Sequence, residues 1–282
     1  MAHHHHSDHA DSEQLAELLD LDAEVLHAHL SDTLAWLREL VGDRQVGRVL
    51  DVGTGTGAGA LALAGCFPSA EVIALDMSDA LLDRLRHKAR ELGVADRVHA
   101  VQVNLDDGWP ASVDPASVDL VWAAKSLHHM ADPDRVLADI SGALRPGGLL
   151  TVAELDSFPR FLPDDTGHGP EARWHALMAD EMAAELPHLG SDWGSRLRGA
   201  GFTVEAERTF TIELTSPLPA ATGRYAQVSL RRLRSGLDDR VDDGDRAMLD
   251  ALVADHGPDS VLHRDDLVVR AERTVLVARR PS

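Results

Sequence analysis

The stretch Arg48-Val49-Leu50-Asp51-Val52-Gly53-Thr54-Gly55-Thr56-Gly57-Ala58-Gly59-Ala60-Leu61-Ala62-Leu63-Ala64 decides the fold. Val49, Leu50 and Val52 form a short apolar run suited to a strand covered on both faces. The glycines behind it let the backbone turn tightly and come close to a ligand. The Ala/Leu run that follows has good helix propensity and small side chains for packing on a sheet. Such a turn leaves backbone N–H groups at a helix N-terminus, where a ligand can dock. The glycines alone do not name the ligand, since Gly53-x-Gly55-x-x-Ala58 also passes a loose dinucleotide fingerprint. Asp51 separates the candidates better. A carboxylate two residues before the first glycine would repel a pyrophosphate on the turn and suit an ammonium group.

Working outward, Glu71–Asp76 reads as a second strand, followed by a helix from the N-cap Ser78 to Leu92. Asp76 closes that strand, where a carboxylate can accept the hydroxyls of a ribose. Val98–Val103 is a third strand, ending in Asn104-Leu105-Asp106-Asp107. Val118–Ala123 is a fourth, leading into Lys125-Ser126-Leu127-His128-His129. Pro133 starts a helix that ends near Leu144. A turn at Arg145–Gly148 then precedes the fifth strand, Leu149–Leu155. Strands alternating with helices predict a parallel sheet with helices on both faces. Ligands on such sheets bind outside the carboxyl ends of the strands. Asp51, Asp76, Asn104 and Ala123 all fall at such ends.

The run Asp51-x-Gly53-x-Gly55-x-Gly57 resembles motif I of the class I S-adenosylmethionine (SAM)-dependent methyltransferases. Asp119-Leu120-Val121 with Leu127-His128-His129, and Leu144-x-Pro146-Gly147-Gly148, resemble two further family patterns. The resemblance implies a doubly wound, mostly parallel seven-stranded α/β sheet whose last strand is antiparallel. It implies SAM as cofactor, held by Asp51, Gly53, Thr54, Gly55, Gly57, Asp76, Met77, Asn104, Leu105 and Ala123. In the family an acidic residue followed by a small or apolar one contacts the adenine. Here that pair is Asn104 and Leu105, which leaves open whether Asp106 takes the role.

Other segments lie outside this core. Met1 to His6 reads as an affinity tag, and residues 1–10 as tag and disordered start. Residues 11–42 carry leucines at three- and four-residue steps, the mark of helices. They are read either as a lid on the crevice or as a layer on the sheet flank. The cofactor-binding core then spans 43–156. A loop–helix insert and sixth strand span 157–214, and a helical cap spans 215–270. A final strand and tail span 271–282. Within the insert, Trp174, Leu177, Met178 and Met182 are expected on one side of a helix.

Composition narrows the partners. The chain of 282 residues is 44% hydrophobic and 26% charged, as in soluble globular proteins. Its formal charge of −20 opposes nucleic acid and anionic membrane. Arg231, Arg232 and Arg234 form the one obvious basic cluster, read as a solvated helix face. The single cysteine, Cys66, excludes an intramolecular disulfide and fits a reducing cytoplasm. No apolar run approaches the roughly eighteen residues needed to span a bilayer, and no signal peptide is read after the tag. A small-molecule acceptor, in specialised metabolism, is the expected partner, and a homodimer is compatible with the sequence.

For chemistry, His128 is the candidate general base, with His129 beside it, because histidine exchanges protons near neutral pH. A structural role for the same ring stands as the alternative. Lys125 could anchor an anionic group, and Glu154 with Asp156 could orient a substrate amine or hydroxyl. His168, His175 and His188 match no zinc spacing, so no metal is expected. Two other functions remain at this point. One is an NAD(P)-dependent oxidoreductase, against which Asp51 and the lack of a Tyr–Lys pair count. The other is a non-catalytic SAM-binding module.

Overall fold

The computed structural model describes residues 4–163, 169–237 and 240–282. In chain order its first elements are α1 (His4–Val25), α2 (His27–Val41), β1 (Arg48–Val52), α3 (Ala58–Cys66) and β2 (Glu71–Asp76). Next come α4 (Asp79–Glu91), β3 (Val98–Gln102), β4 (Val118–Ala124), a 3-10 turn at Leu127–His129, α5 (Pro133–Ala143) and β5 (Leu144–Leu155). The remainder are α6 (Pro170–Glu185), α7 (Trp193–Gly199), β6 (Thr203–Leu214), α8 (Thr222–Leu237), α9 (Asp243–Val253) and β7 (Val269–Arg279). They divide between two compact units. A sheet unit holds 28–155, 188–210 and 273–282, and a helical unit holds 156–187, 211–272 and the residues up to His27.

The sheet order is β3-β2-β1-β4-β5-β7-β6. β1 pairs in parallel with β2 and β4, and β7 runs antiparallel to β5. The order therefore reverses on either side of β1, which puts the switch point at the carboxyl ends of β1 and β4. Side chains alternate across the sheet, as a two-residue period requires. Leu50 and Val52 pack with Val121, Ala123 and the α5 residues Leu137 and Ile140. Val49 faces the other way, among Leu120, Trp122, Leu37 of α2 and Leu63 of α3. Asp51 shares the parity of Val49, so its carboxylate is carried toward α3.

Four sequence expectations shift. The stretch 11–42 is not one body. Leu34, Leu37 and Val41 of α2 pack on the sheet with Val49 and Ala60, whereas Leu21 and Val25 of α1 belong to the core of the helical unit. For α2 the layer reading is the right one. The backbone of 4–10 is helical, where a disordered start was expected, because α1 contains no glycine or proline to stop it. The Arg145–Gly148 segment, expected as a turn, is the irregular start of β5, with a register break against β4 between Val118 and Leu120. Asp119 anchors it there, accepting from Gly47 N and Arg48 N through Oδ2 and from Arg145 through Oδ1. Finally, 157–214 is divided, since 156–187 and 211–214 lie in the helical unit and 188–210 in the sheet unit.

The helical unit has its own core. Phe161, Trp174, Tyr225, Leu249 and Val261 are fully buried in it. Tyr225 meets Phe161 edge to face at 5.0 Å, and its hydroxyl donates to Asp22. Leu177 is 41% exposed, so the apolar side expected for α6 is narrower than the spacing implied. Arg231 pairs with Asp255 and Arg234 with Asp250. Those two guanidinium charges are matched on the spot, as a solvated helix face requires. Among the described residues, no helix is long and apolar enough to cross a membrane.

Candidate active site

The glycine turn after β1 is held by hydrogen bonds to the end of β2. Gly53 N and Thr54 N donate to Leu75 O of β2, each at 2.9 Å. Gly55 N donates to Asp76 Oδ2 at 2.8 Å, while Asp76 Oδ1 accepts from Ser78 N at 2.9 Å. Each of those oxygens keeps a lone pair for a further donor. Two positions in the turn can only be glycine. At Gly53 φ is +69°, and an added Cβ would lie 2.4 Å from Ser126 Cβ. At Gly57 φ is +89°, and an added Cβ would lie 2.2 Å from Leu85 Cδ1. The turn is thus packed closely against Ser126 of the loop after β4 and Leu85 of α4.

Asp51, two residues before Gly53, is 2% exposed. Its Oδ2 accepts from Thr54 Oγ1 at 2.6 Å. Burial pushes its carboxyl up to about 7, against the lowering pulls of the Thr54 hydroxyl and the Ala60 backbone N–H. Met77, next to Asp76, is 66% exposed, an apolar surface at the carboxyl end of β2.

Other expected contacts are engaged elsewhere. The Asn104 side chain closes a local turn, accepting from Asp106 N and donating to Asp107. Leu105 is buried in the core beneath the sheet. Asp106 accepts from Ala131 N, tying the loop after β3 to the loop after β4. Ala123 is completely buried, because β4 continues to Ala124 and carries the strand end one residue further.

Past β4 the chain makes an unusual bend. Lys125 takes φ +55°, a conformation that L-residues other than glycine rarely adopt. Ser126 Oγ donates to Val52 O at 2.7 Å and so pins this loop to β1. His128 is 3% exposed, and its Nδ1 lies 2.5 Å from Glu154 Oε2. Glu154 Oε1 accepts from Ser126 N and Leu127 N. Glu154 is therefore spent on this loop and is not free to orient a substrate, while Asp156 is exposed. His129 is exposed and packs against the His128 ring at 4.1 Å. Ser126 is the contact that sequence reasoning missed, since no local pattern announces a hydroxyl that reaches across strands.

Of the three histidines weighed for a metal, two are described and each has a partner of its own. His168 lies outside the described residues. His175 stacks on Phe158, and burial together with the nearby Arg160 holds it down to about 4. His188 pairs with Arg196. Among the described residues no group of three or more metal-ligating side chains forms.

A tightly packed glycine turn beside a buried carboxylate, with a second carboxylate at the end of β2, agrees with what the comparisons with known proteins find. A family model described as a methyltransferase domain matches residues 49–148. The chain is 33% identical, over 188 residues, to a ubiquinone biosynthesis O-methyltransferase of Bordetella avium, covering 62% of this chain and 73% of that protein. The chain belongs to the class I SAM-dependent methyltransferases. It is also 33% identical to a 27-O-demethylrifamycin SV methyltransferase of Amycolatopsis mediterranei, over 44% of this chain and 43% of that one. The chain spans less than half the length of some curated relatives it matches. A solved methyltransferase-like structure from Bacillus halodurans has the same fold, with a TM-score of 0.56 at 20% identity, covering 88% of this chain and 99% of that one. Family membership sets aside both the oxidoreductase and the non-catalytic alternatives. The cofactor of this methyltransferase is SAM. The carboxyl edge of β1 and β2 is compatible with it, since Asp76 keeps lone pairs on both oxygens and Met77 is an exposed apolar surface beside them.

Proposed function

We propose that this methyltransferase acts on a small-molecule acceptor of specialised metabolism, in the cytoplasm, with cofactor and chemistry both placed at the carboxyl edge of β1, β2 and β4. When bound, SAM supplies an electrophilic methyl group on a sulfonium. Asp51 takes the ammonium end, Gly53, Thr54, Gly55 and Gly57 lie under the methionine and ribose portions, and Asp76 accepts the ribose hydroxyls. The adenine falls to Met77 and to the backbone at Asn104–Leu105, since those two side chains are engaged in the protein. Ser126 holds the loop after β4 against the glycine turn, which brings His128 to the crevice as the group that takes a proton. Lys125 offers an anchor for an anionic acceptor.

The observation that carries this reading is the buried Asp51 beside a turn whose backbone at Gly53 and Gly57 accepts only glycine. A small acceptor is supported by the relatives named for ubiquinone biosynthesis and for a demethylrifamycin, and by the formal charge of −20, which opposes polyanions. Calorimetry tests it. Saturable binding of SAM and none of NADH is expected, with SAM affinity lost in Asp51→Ala and Asp76→Ala proteins that keep their circular dichroism. Unchanged affinity in both variants would remove the reading.

A further inference from the structure

We propose that the helical unit holds a binding site for an aromatic carboxylate, built from Phe158, Arg160, His175 and Arg270. All four residues lie in that unit and none belongs to the cofactor edge, so the site does not depend on the reading above. Arg160 and Arg270 form an antiparallel bridge, each donating its N–H to the other's carbonyl at 2.9 Å. A pair bonded in that way directs its two side chains to one face, with Cα atoms about 5.5 Å apart. Two guanidinium groups therefore leave the same side of the chain. Arg270 also donates to Leu162 O, which fixes its side chain. The groups that feel these charges stand on α6. Both arginines pull down on the Glu171 carboxyl, and Arg160 pulls down on the His175 ring. Phe158 joins the cluster through His175, its ring 7° from parallel with the imidazole and 6.2 Å from it.

The positive charge here is not matched. Elsewhere in the helical unit arginines take carboxylates: Arg173 pairs with Asp245, Arg224 with Glu17, Arg231 with Asp255 and Arg264 with Asp266. Arg160 is exposed and has no ion-pair partner among the described residues. Glu171 is the acid at hand, but Phe161 N and Leu162 N close it off, and burial raises it to about 7. It is only partly ionised near neutral pH and offsets little of the charge. In a chain with a formal charge of −20, an unmatched guanidinium beside a neutral imidazole is a place for an external anion. The side chains select its class. A guanidinium offers two parallel N–H donors that match the two oxygens of a carboxylate. An imidazole kept neutral, at about 4, brings one N–H donor without a second charge. Phe158 and the imidazole present flat faces, on which an aromatic ring packs. A carboxylate carried directly on an aromatic ring meets all three demands.

Calorimetry on the full chain tests this with benzoate as the probe, beside benzamide, which lacks the charge, and acetate, which lacks the ring. Saturable benzoate binding is expected, with benzamide and acetate each weaker by about tenfold or more. Arg160→Met should weaken benzoate by roughly 10- to 100-fold, the range for a lost charged partner. Arg160→Lys keeps the charge and loses the fork, and should fall between. Phe158→Leu should weaken benzoate and leave acetate unchanged. Arg160 is exposed, so its variants should keep the circular dichroism and the SAM affinity of the parent. A parent that does not bind benzoate overturns the site, as does an Arg160→Met protein that binds it as tightly as the parent. Acetate binding equal to benzoate overturns the aromatic assignment. A parent that fails to bind SAM strikes the methyl-transfer reading instead and leaves this site standing, because the two draw on different residues.

Discussion

Two buried carboxylates, one in each unit, sit in similar surroundings and do different work. Asp51 in the sheet unit and Glu171 in the helical unit are 2% and 3% exposed, and burial pushes each up to about 7. Glu171 meets Phe161 N and Leu162 N, three contacts of 2.7 to 3.0 Å that staple the segment before α6 to its first turn. Asp51 takes a hydroxyl from Thr54 and one backbone donor, from Ala60, with the Asp76 carboxylate nearby. Glu171 has two backbone donors, with Arg270 and Arg160 nearby. Burial is alike in the two; the charges around them are not.

That contrast can be broken or sharpened by substitution. The largest effect belongs to neither acid. Leu37→Ala empties a fully buried site where α2 meets the sheet, and should cost roughly 2–5 kcal/mol in chemical denaturation. If it costs less than about 1 kcal/mol, α2 is not the layer described here. Gly53→Ala comes next. It places a methyl against Ser126 at a left-handed φ, costing about 2–4 kcal/mol, and SAM binding should fail in the fraction that folds. Asp51→Asn should leave folding intact while weakening SAM by roughly 10- to 100-fold, the range for a lost charged partner. A loss of stability without a loss of affinity would make Asp51 a second staple.

The pH dependence follows from the same pair, and its sign is fixed by the direction of the shifts. Both carboxyls bind protons more tightly folded than unfolded, so stability falls as pH rises from about 4 to about 7 and then levels off. Glu171→Gln and Asp51→Asn should each flatten part of that slope in melting scans. A slope untouched by both substitutions would assign it to other groups. The smallest effect is expected on the surface of the helical unit. Arg234→Ala removes a partly exposed pair with Asp250 and should cost no more than about 1 kcal/mol.

How much of this was legible in the sequence depends on range. The glycine turn could be read because its requirement is local: consecutive backbone angles, an apolar strand before it and a helix-forming run behind it. Asp76 and the N-cap Ser78 were legible for the same reason. Asn104 and Ala123 lie within two residues of the ends of β3 and β4 rather than at them, and no spacing rule shows which way a side chain near a strand end turns. Glu154 was read as a carboxylate that could orient a substrate, and its three partners could not be read, because they lie on a loop more than twenty residues upstream.

The sequence by itself therefore determined the order of strands and helices through the core, which follows from periodicity and from backbone angles that only glycine takes freely; the motifs it carries pointed to the family by resemblance. Only the tertiary structure decided that α1 and α2 serve different cores, which partners meet Asp51 and Glu171 in their burial, and that Glu154 holds His128. Each of those depends on which residues meet across the sheet, and that is set by strand register and burial rather than by neighbours along the chain.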